Sequence, residues 1–370
     1  MYLSCNREDL LEAVLCASRA VSSKTSLAAL EGVLLEYGRE LKVTGYNLEI
    51  GIESVIPCEC DGTGSVVINA HTFSEILRKM DHDVVTIEVD DKLKITIKCG
   101  MSEFTILGTS SGEFPEMPKV DRERSLKLPQ NLLKNMIRQT VYAVSTNENK
   151  PIHTGCLFDV ASDSLKVVGV DGYRLALREE KIDTETGEAF SFVVPGRALS
   201  EIVKLMDDTD NPISISLSRK HIIFELENKQ LVSRLLEGEF LNYKAAIPAN
   251  ATIKIRAKVK NFVDSIERAS LLISERQRSP IRIQFHDDTV VMNCSTPLGR
   301  VYDEFAAASS GGSLEMGFNN KYLLDAFRYC EQEEVMVELT SPLAPLVLRP
   351  VEGEGFIFLV LPVRLKSDEN

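Results

Sequence analysis

One pattern constrains this chain above all others: it repeats itself three times at the spacing of whole domains. Three segments read as amphipathic helices: REDLLEAVLCASRAVS from Arg7, PQNLLKNMIRQTVYAVS from Pro129 and VKNFVDSIERASLLIS from Val259. Their apolar positions superpose as Leu10, Leu132 and Phe262, then Leu11, Leu133 and Val263, then Val14, Met136 and Ile266. Such a stripe marks a helix packed on one side. A second helix follows in each unit: NAHTFSEILRKM, PGRALSEIVKLM and NNKYLLDAFRYC. Here Phe73, Leu199 and Leu323 align, then Leu77, Val203 and Phe327, then Met80, Met206 and Cys330. Alternating runs such as KLKITIKC (92–99), ISISL (213–217), HIIFEL (221–226) and VMVEL (335–339) are bounded by Asp, Asn, Gly and Pro and predict strands.

The repeat is 126 residues from His71 to Arg197 and 124 from Arg197 to Lys321. Solenoid repeats run roughly 20–50 residues, so each unit here is a domain in its own right. The expected fold class is α+β: three tandem copies of a similar domain, each with two helices packed on antiparallel sheets. Pro-bearing polar stretches at 114–125 and 246–254 separate them, giving expected domains 1–121, 125–248 and 252–366. With 370 residues, 44% hydrophobic and 26% charged, the chain can bury real cores, which excludes disorder and small disulfide scaffolds.

Net charge is −13, which speaks against wrapping nucleic acid with the whole surface. The repeat nevertheless gathers positive charge. His71, Arg197 and Lys321 align at the start of the second helices, and Arg78, Lys204 and Arg328 align seven residues later. Seven residues is about two turns, so each pair shares a face. Lys134, Arg138 and Arg268 add to the first helices, with Arg19 and Lys24 closing that of unit one. A surface of this kind favours phosphates without reading bases and weakens with salt. The absence of Trp makes a base-stacking platform for single strands the poorer alternative.

Motifs that suggest catalysis fail on context. Gly108-Thr-Ser-Ser-Gly112 fits G-x-S-x-G, but the two prolines of Phe114-Pro-Glu-Met-Pro deny the helix a nucleophile elbow needs. Neither a P-loop nor a dinucleotide fingerprint occurs, and Asp61-Gly-Thr-Gly64 reads as a turn. Five scattered histidines form no metal-binding pair, and Asp207-Asp-Thr-Asp210 lacks the rest of a calcium loop. Cys58-x-Cys60 has no second pair for zinc, so eight reduced, mostly buried thiols are expected. No cofactor or metal is expected. There is no membrane-spanning run, and no signal peptide is read at the start.

Five separated segments resemble one family, the bacterial DNA polymerase III beta subunit or sliding clamp: GEFPEMP (112–118), VVGVDGYRLAL (167–177), VVPGRALSEIVKLM (193–206), RLLEGEFLNYKAAIP (234–248) and FIFLVLPVRL (356–365). The resemblance runs through essentially the whole chain. It implies a DNA-clamp fold and a head-to-tail dimeric ring, with helices lining a hole around double-stranded DNA. It implies a non-catalytic processivity subunit, cytoplasmic and nucleoid-associated. Its implied partners are the DNA polymerase III alpha subunit, clamp loader subunits and other proteins with clamp-binding motifs. The DNA-facing positions would be Lys24, His71, Arg78, Lys134, Arg138, Arg197, Lys204, Arg268, Lys321 and Arg328. The dimer contact would join Phe104, Ile106 and Leu107 to the partner copy's Leu271 and Leu272. A peptide pocket between domains two and three would use His153, Val170, Gly172, Tyr173, Arg174, Leu175, Leu241, Ala246, Leu359, Leu361, Pro362, Val363 and Arg364. The chain departs from the commoner family pattern at Leu241 (usually proline), His153 (aliphatic), Val170 (threonine) and Ala246 (larger, branched), which shifts the expected peptide preference. Two other readings stay open at this point: a three-domain hydrolase or ligand binder around Ser110 or Asp171, and an oligomeric scaffold that binds peptides but not DNA.

Overall fold

The computed structural model describes residues 2–22, 27–182, 189–274, 279–286 and 288–365. The first repeat holds β1 (Tyr2–Asn6), α1 (Arg7–Ser18), β2 (Gly32–Tyr37), β3 (Glu40–Tyr46), β4 (Ile50–Pro57), β5 (Glu59–Asp61), β6 (Gly64–Asn69), α2 (Ala70–Lys79), β7 (Val84–Val89), β8 (Lys94–Cys99) and β9 (Ser102–Leu107). The second holds β10 (Arg124–Pro129), α3 (Gln130–Val141), β11 (Gly155–Val160), β12 (Ser164–Val170), β13 (Arg174–Lys181), β14 (Phe190–Pro195), α4 (Gly196–Leu205), β15 (Pro212–Leu217), β16 (His221–Glu225) and β17 (Lys229–Arg234). After the short α5 (Tyr243–Ala246) come β18 (Ile253–Lys258), α6 (Val259–Ser270), β19 (Ile281–His286), β20 (Thr289–Thr296), β21 (Gly299–Ala306), β22 (Ala308–Ser310), β23 (Leu314–Phe318), α7 (Asn320–Arg328), β24 (Glu334–Leu339), β25 (Leu346–Pro350) and β26 (Phe356–Val360).

Three of these helices start on an asparagine that caps them. Asn6, Asn69 and Asn319 each accept backbone N–H groups of the first turn at 2.8–3.2 Å, satisfying donors that the helix itself leaves open. Strands alternate buried and exposed positions, as in β18, because successive side chains point to opposite faces. Strand β8 begins at Lys94, two residues later than the apolar run suggests, because Leu93 turns with φ 61°.

The chain divides into two compact units, Met1–Leu133 with Arg197–Leu235 and Lys134–Gly196 with Leu236–Asn370. The first holds a five-stranded sheet, β5-β1-β7-β8-β9, and an eight-stranded sheet, β10-β15-β16-β17-β4-β3-β2-β6. Its core gathers Leu3, Leu10, Val14, Val33, Phe73, Leu77, Ile87 and Ile97. The second holds a nine-stranded sheet, β14-β11-β12-β13-β26-β25-β24-β18-β22, and a four-stranded sheet, β21-β20-β19-β23. Its core is aromatic, with Phe262 of α6 stacked on Phe327 of α7 at 4.2 Å. In each unit one ladder joins successive repeats: β4 pairs with β17, and β13 pairs with β26, both antiparallel.

The second helices keep the register expected of them: Phe73, Leu199 and Leu323 are fully buried, while His71, Arg197 and Lys321 are exposed. The first helices correct it. In α1 the buried residues include Leu10, Ala13, Val14 and Ala17, and in α6 they include Phe262, Ser265, Ile266 and Ala269. The matching set in α3 is Leu133, Met136, Ile137 and Thr140, with Leu132 only half-buried. Leu133, not Leu132, is thus the counterpart of Leu10. Adjacent leucines conceal the one-residue slip, which the i, i+3, i+4, i+7 spacing of a packed face resolves.

Candidate functional site

The turn between β12 and β13 is built by one carboxylate. Asp171 Oδ1 accepts the backbone N–H groups of Tyr173 and Arg174 at 2.9 and 3.0 Å, and the chain reverses at Gly172 with φ 91°. A Cβ at Gly172 would meet nothing within 4 Å, so glycine is favoured there by backbone conformation and not by crowding. The turn aims β13 along β26, with Leu175 opposite Leu359 and Leu177 opposite Ile357. Alternation then sorts the side chains: Ala176 joins the main core, while Leu175 and Leu177 face the other way. They form a separate buried cluster with Leu157, Val168, Val170, Val193, Tyr243, Val347 and Leu359, against which Ile152, Leu236, Phe240, Ile247 and Ile357 pack.

On the same loops and C-terminal segment four apolar side chains stand in solvent: Tyr173, Leu241, Leu361 and Val363 are 61%, 44%, 37% and 43% exposed. Ala246 and Arg364 are exposed and Pro362 is half-buried. Leu361 is tied down by its N–H, which donates to Tyr173 C=O at 2.8 Å. His153 meets Phe240 edge to face at 5.6 Å, and burial followed by the charge of Lys150 lowers its pKa from the ordinary value. Tyr243 donates its hydroxyl to Asp159 at 2.7 Å. Of the expected pocket positions, Val170, Leu175 and Leu359 share this buried cluster. Phe240, Tyr243, Ile152 and Ile247 belong with them and were not among the expected positions. A second GEF motif, Gly238-Glu-Phe240, is the signal that marks them, because it repeats Gly112-Glu-Phe114.

Arg174, one of the expected pocket positions, is held from inside the fold. Its guanidinium turns inward, donating to Asp171 Oδ2 at 2.8 Å and to Asp325 Oδ2 on α7 at 2.6 Å, with its side chain 10% exposed. It also lies over the rings of Tyr322 and Tyr142, at 4.7 and 5.4 Å from their centroids. Burial works against its charge, but the two carboxylates outweigh it and its pKa is raised.

The first joint, β4 with β17, serves as an internal control. Its turn is built the same way, with Asn47 Oδ1 accepting from the N–H groups of Glu49 and Ile50 and Leu48 at φ 75° in the place of Gly172. The positions of Leu175 and Leu177 are taken there by Gly51 and Glu53, opposite Val232 and Gln230. Met117 fills the space above Gly51, and Glu53 accepts the Gln230 side-chain amide at 3.0 Å. The same backbone thus carries a broad aliphatic cluster in one joint, and in the other a smaller apolar cluster of Ala29, Leu30, Tyr46, Val67 and Phe114 with Met117 packed on it, and Glu53 with Gln230 in place of Leu177 with Ile357.

The aligned basic residues Arg78, Lys204 and Arg328 are exposed, each with an acidic partner: Glu75 at 2.7 Å, Glu201 at 2.9 Å and Glu267 at 2.5 Å. Arg268 pairs with Asp303 at 2.5 Å. His71, Arg138, Arg197 and Lys321 are exposed with no ion pair among the described residues, and Lys134 is half-buried. Lys24 lies outside the described residues. At two sheet margins the outermost strands are β9 and β21. Phe104 and Leu107 on β9 are 38% and 77% exposed, Leu271 after α6 is 82% exposed, and Leu272 is half-buried. Ile106 instead packs against the core of its own unit.

Ser110 caps a single 3-10 turn at Ser111–Glu113, after which Phe114 is extended, so no strand–elbow–helix surrounds it. Asp171 is spent on its own turn and on Arg174. All eight cysteines are free, with only Cys58 and Cys60 half-exposed. Burial pushes the Cys5 and Cys156 thiols up to about 12, the opposite of an activated nucleophile. No described helix is long and apolar enough to cross a membrane, and no described group of three His, Cys, Asp or Glu could hold a metal ion.

Comparison with known proteins agrees along the whole length. Models of the N-terminal, central and C-terminal domains of the DNA polymerase III beta subunit match residues 1–118, 127–242 and 244–364. The beta sliding clamp of Bacillus subtilis is 32% identical, over 98% of this chain and all of its own. A crystal structure of the DNA polymerase sliding clamp from that organism superposes with a TM-score of 0.96, covering 99% of this chain and 100% of its own. A putative DNA polymerase III beta subunit from Eubacterium rectale is 34% identical, with a TM-score of 0.94 and coverage of 98% and 99%. Three tandem domains of this build, matched in order and at this identity, establish that the chain belongs to the DNA polymerase III beta subunit family, the bacterial sliding clamps.

Proposed function

We propose that this chain is a processivity clamp. Two copies close head to tail around duplex DNA, slide without reading sequence, and tether polymerase and other replication proteins through the groove at the second joint. The observation that carries this reading is a ladder used twice within the chain and left open at both ends. In the two joints Ile52 lies opposite Leu231 and Ala176 opposite Phe358. Val301 on β21 holds the position of Ile52 and Ala176: it pairs inward with Cys294 as they pair with Gly45 and Gly169. Phe104 on β9 holds the position of Leu231 and Phe358: it pairs inward with Ile97 as they pair with Phe224 and Leu348. A second copy supplies to each open edge the strand that the other repeats find within the chain. Two such contacts close the assembly and leave neither edge exposed.

In this reading the exposed cations of α2, α3, α4, α6 and α7 meet phosphates. Mobile Lys and Arg contacts are weak and independent of sequence, which permits sliding. The net charge of −13 disfavours DNA elsewhere on the surface. The apolar rim of Tyr173, Leu241, Leu361 and Val363 over a buried aliphatic floor suits the hydrophobic anchors of a short peptide from the polymerase alpha subunit or the clamp loader. The domain limits 1–121, 125–248 and 252–366 and a cytoplasmic, nucleoid-associated location are part of the same proposal, as is the lack of catalysis.

The test is retention on circular and linearised plasmid after loading with a clamp loader and ATP, washed in high salt. Retention on the circle with loss from the linear form is expected, because salt removes phosphate contacts but not encirclement. Equal loss from both forms, with a working control clamp, would leave a scaffold that does not encircle DNA.

A further inference from the structure

Arg174 sits in the turn that carries Tyr173, yet its guanidinium is held by carboxylates beneath the turn and on α7. Asp171, its partner within the turn, also accepts the two backbone N–H groups that hold the reversal at Gly172. Asp325, its second partner, is 151 residues away on α7. The guanidinium between them lies over Tyr322 of α7 and over Tyr142, while Tyr142 stacks on Tyr329 at 4.4 Å. On the solvent side Tyr173 stacks on Tyr322 at 5.9 Å and holds Leu361 through its carbonyl. The exposed rim is therefore anchored through one buried cation to a helix that presents none of the rim residues.

We propose that Asp325 is a positioning residue for the peptide groove: by clamping Arg174 it fixes the Asp171–Arg174 turn, and so places Tyr173 and Leu361, without touching the peptide. This rests on the reading of the groove as the peptide site. A planar guanidinium can engage two carboxylates at once, whereas an ammonium is a single point charge. The clamp therefore requires arginine at 174 and a carboxylate at 325, and the side chains at these positions act as one unit.

The probe is a fluorescein-labelled synthetic peptide carrying the C-terminal twenty residues of the DNA polymerase III alpha subunit, with binding read by anisotropy. Asp325→Asn and Arg174→Lys are each expected to weaken binding about tenfold, as for loss of one hydrogen bond to a charged group. The double variant is expected to be no weaker than either single one. Asp325→Glu restores most of the affinity, and the thermal midpoint of Asp325→Asn stays near that of Asp325→Glu, which a merely structural role would not produce. Leu361→Asp, on the rim itself, separates the two ideas. If it leaves binding intact, the groove is not the peptide site and the positioning role falls with it. If it abolishes binding while Asp325→Asn binds as wild type, or while Asp325→Glu is as weak as Asp325→Asn, the positioning role alone is overturned.

Discussion

Met117 lies on the α-carbon of Gly51, in the space that a side chain at that position would occupy. The residues in the same two places of the second joint are Tyr243 and Leu175. Tyr243 is drawn to Asp159 by its hydroxyl and Leu175 extends the aliphatic floor. Gly51→Ala forces the flexible Met117 to move, and a cost of about 1–2 kcal/mol is expected from overpacking. Combining it with Met117→Ala should cost less than the two single changes summed, because they share one space. Urea unfolding of the four proteins checks this.

The open edges make a prediction at the level of single residues. If β9 and β21 of two copies pair in the register of the two joints, Phe104 faces Val301 of the other chain. The variant Phe104→Cys with Val301→Cys should then form a disulfide between chains on mild oxidation, because directly opposed strand residues lie within disulfide range. Moving one cysteine to Thr105 should lower the yield, since its side chain leaves by the other face of the strand. Non-reducing electrophoresis reads both, with each single variant as control.

Neutralising charge should separate two classes of cation. Arg197 and Lys321 carry no acidic partner among the described residues, whereas Arg78 and Lys204 are shared with Glu75 and Glu201. Replacing Arg197 and Lys321 by Gln should therefore reduce DNA affinity more than the same change at Arg78 and Lys204. Removing one cation that meets a phosphate should flatten the slope of log affinity against log salt by about one. Fluorescence titrations at several salt concentrations test the order, and equal effects from both pairs would exclude it.

His153 makes the stability of the fold depend on pH. Burial and then the neighbouring Lys150 lower its pKa below the ordinary 6.5, so between those two values the unfolded chain binds a proton that the folded protein refuses. The contribution of His153 to stability is therefore complete above about pH 6.5 and is lost as pH falls below it. His153→Leu should remove that component. The urea midpoint of the wild type should fall relative to the variant between pH 7 and pH 5, and parallel curves would refute the assignment.

Legibility followed the range of the interaction. The second helices carry Phe73, Leu199 and Leu323 in register because burial of one helix face is written every three or four residues. The slip at Leu132 comes from the same rule applied to a pair of adjacent leucines, where periodicity over two positions cannot choose. Phe240 and Tyr243 are hard to place from sequence because their environment is made by strands far along the chain, although the repeated GEF motif marks their position. The buried clamp on Arg174 is not legible because its second carboxylate lies 151 residues onward, and no local pattern records that distance.

Three α+β units, their order, the core-facing positions Phe73, Leu199 and Leu323 of the second helices and the aligned cations were determined by the amino-acid sequence alone, because each follows from short-range periodicity recurring at domain spacing. Which joint leaves Tyr173, Leu241, Leu361 and Val363 in solvent, which strands end the sheets, and where Arg174 spends its charge were decided only by tertiary structure. These depend on which strands become neighbours and on the side chains then set face to face across a ladder. Gly51 and Leu175 occupy equivalent positions in equivalent turns, and only the packing above them separates a closed joint from one with a rim open to solvent.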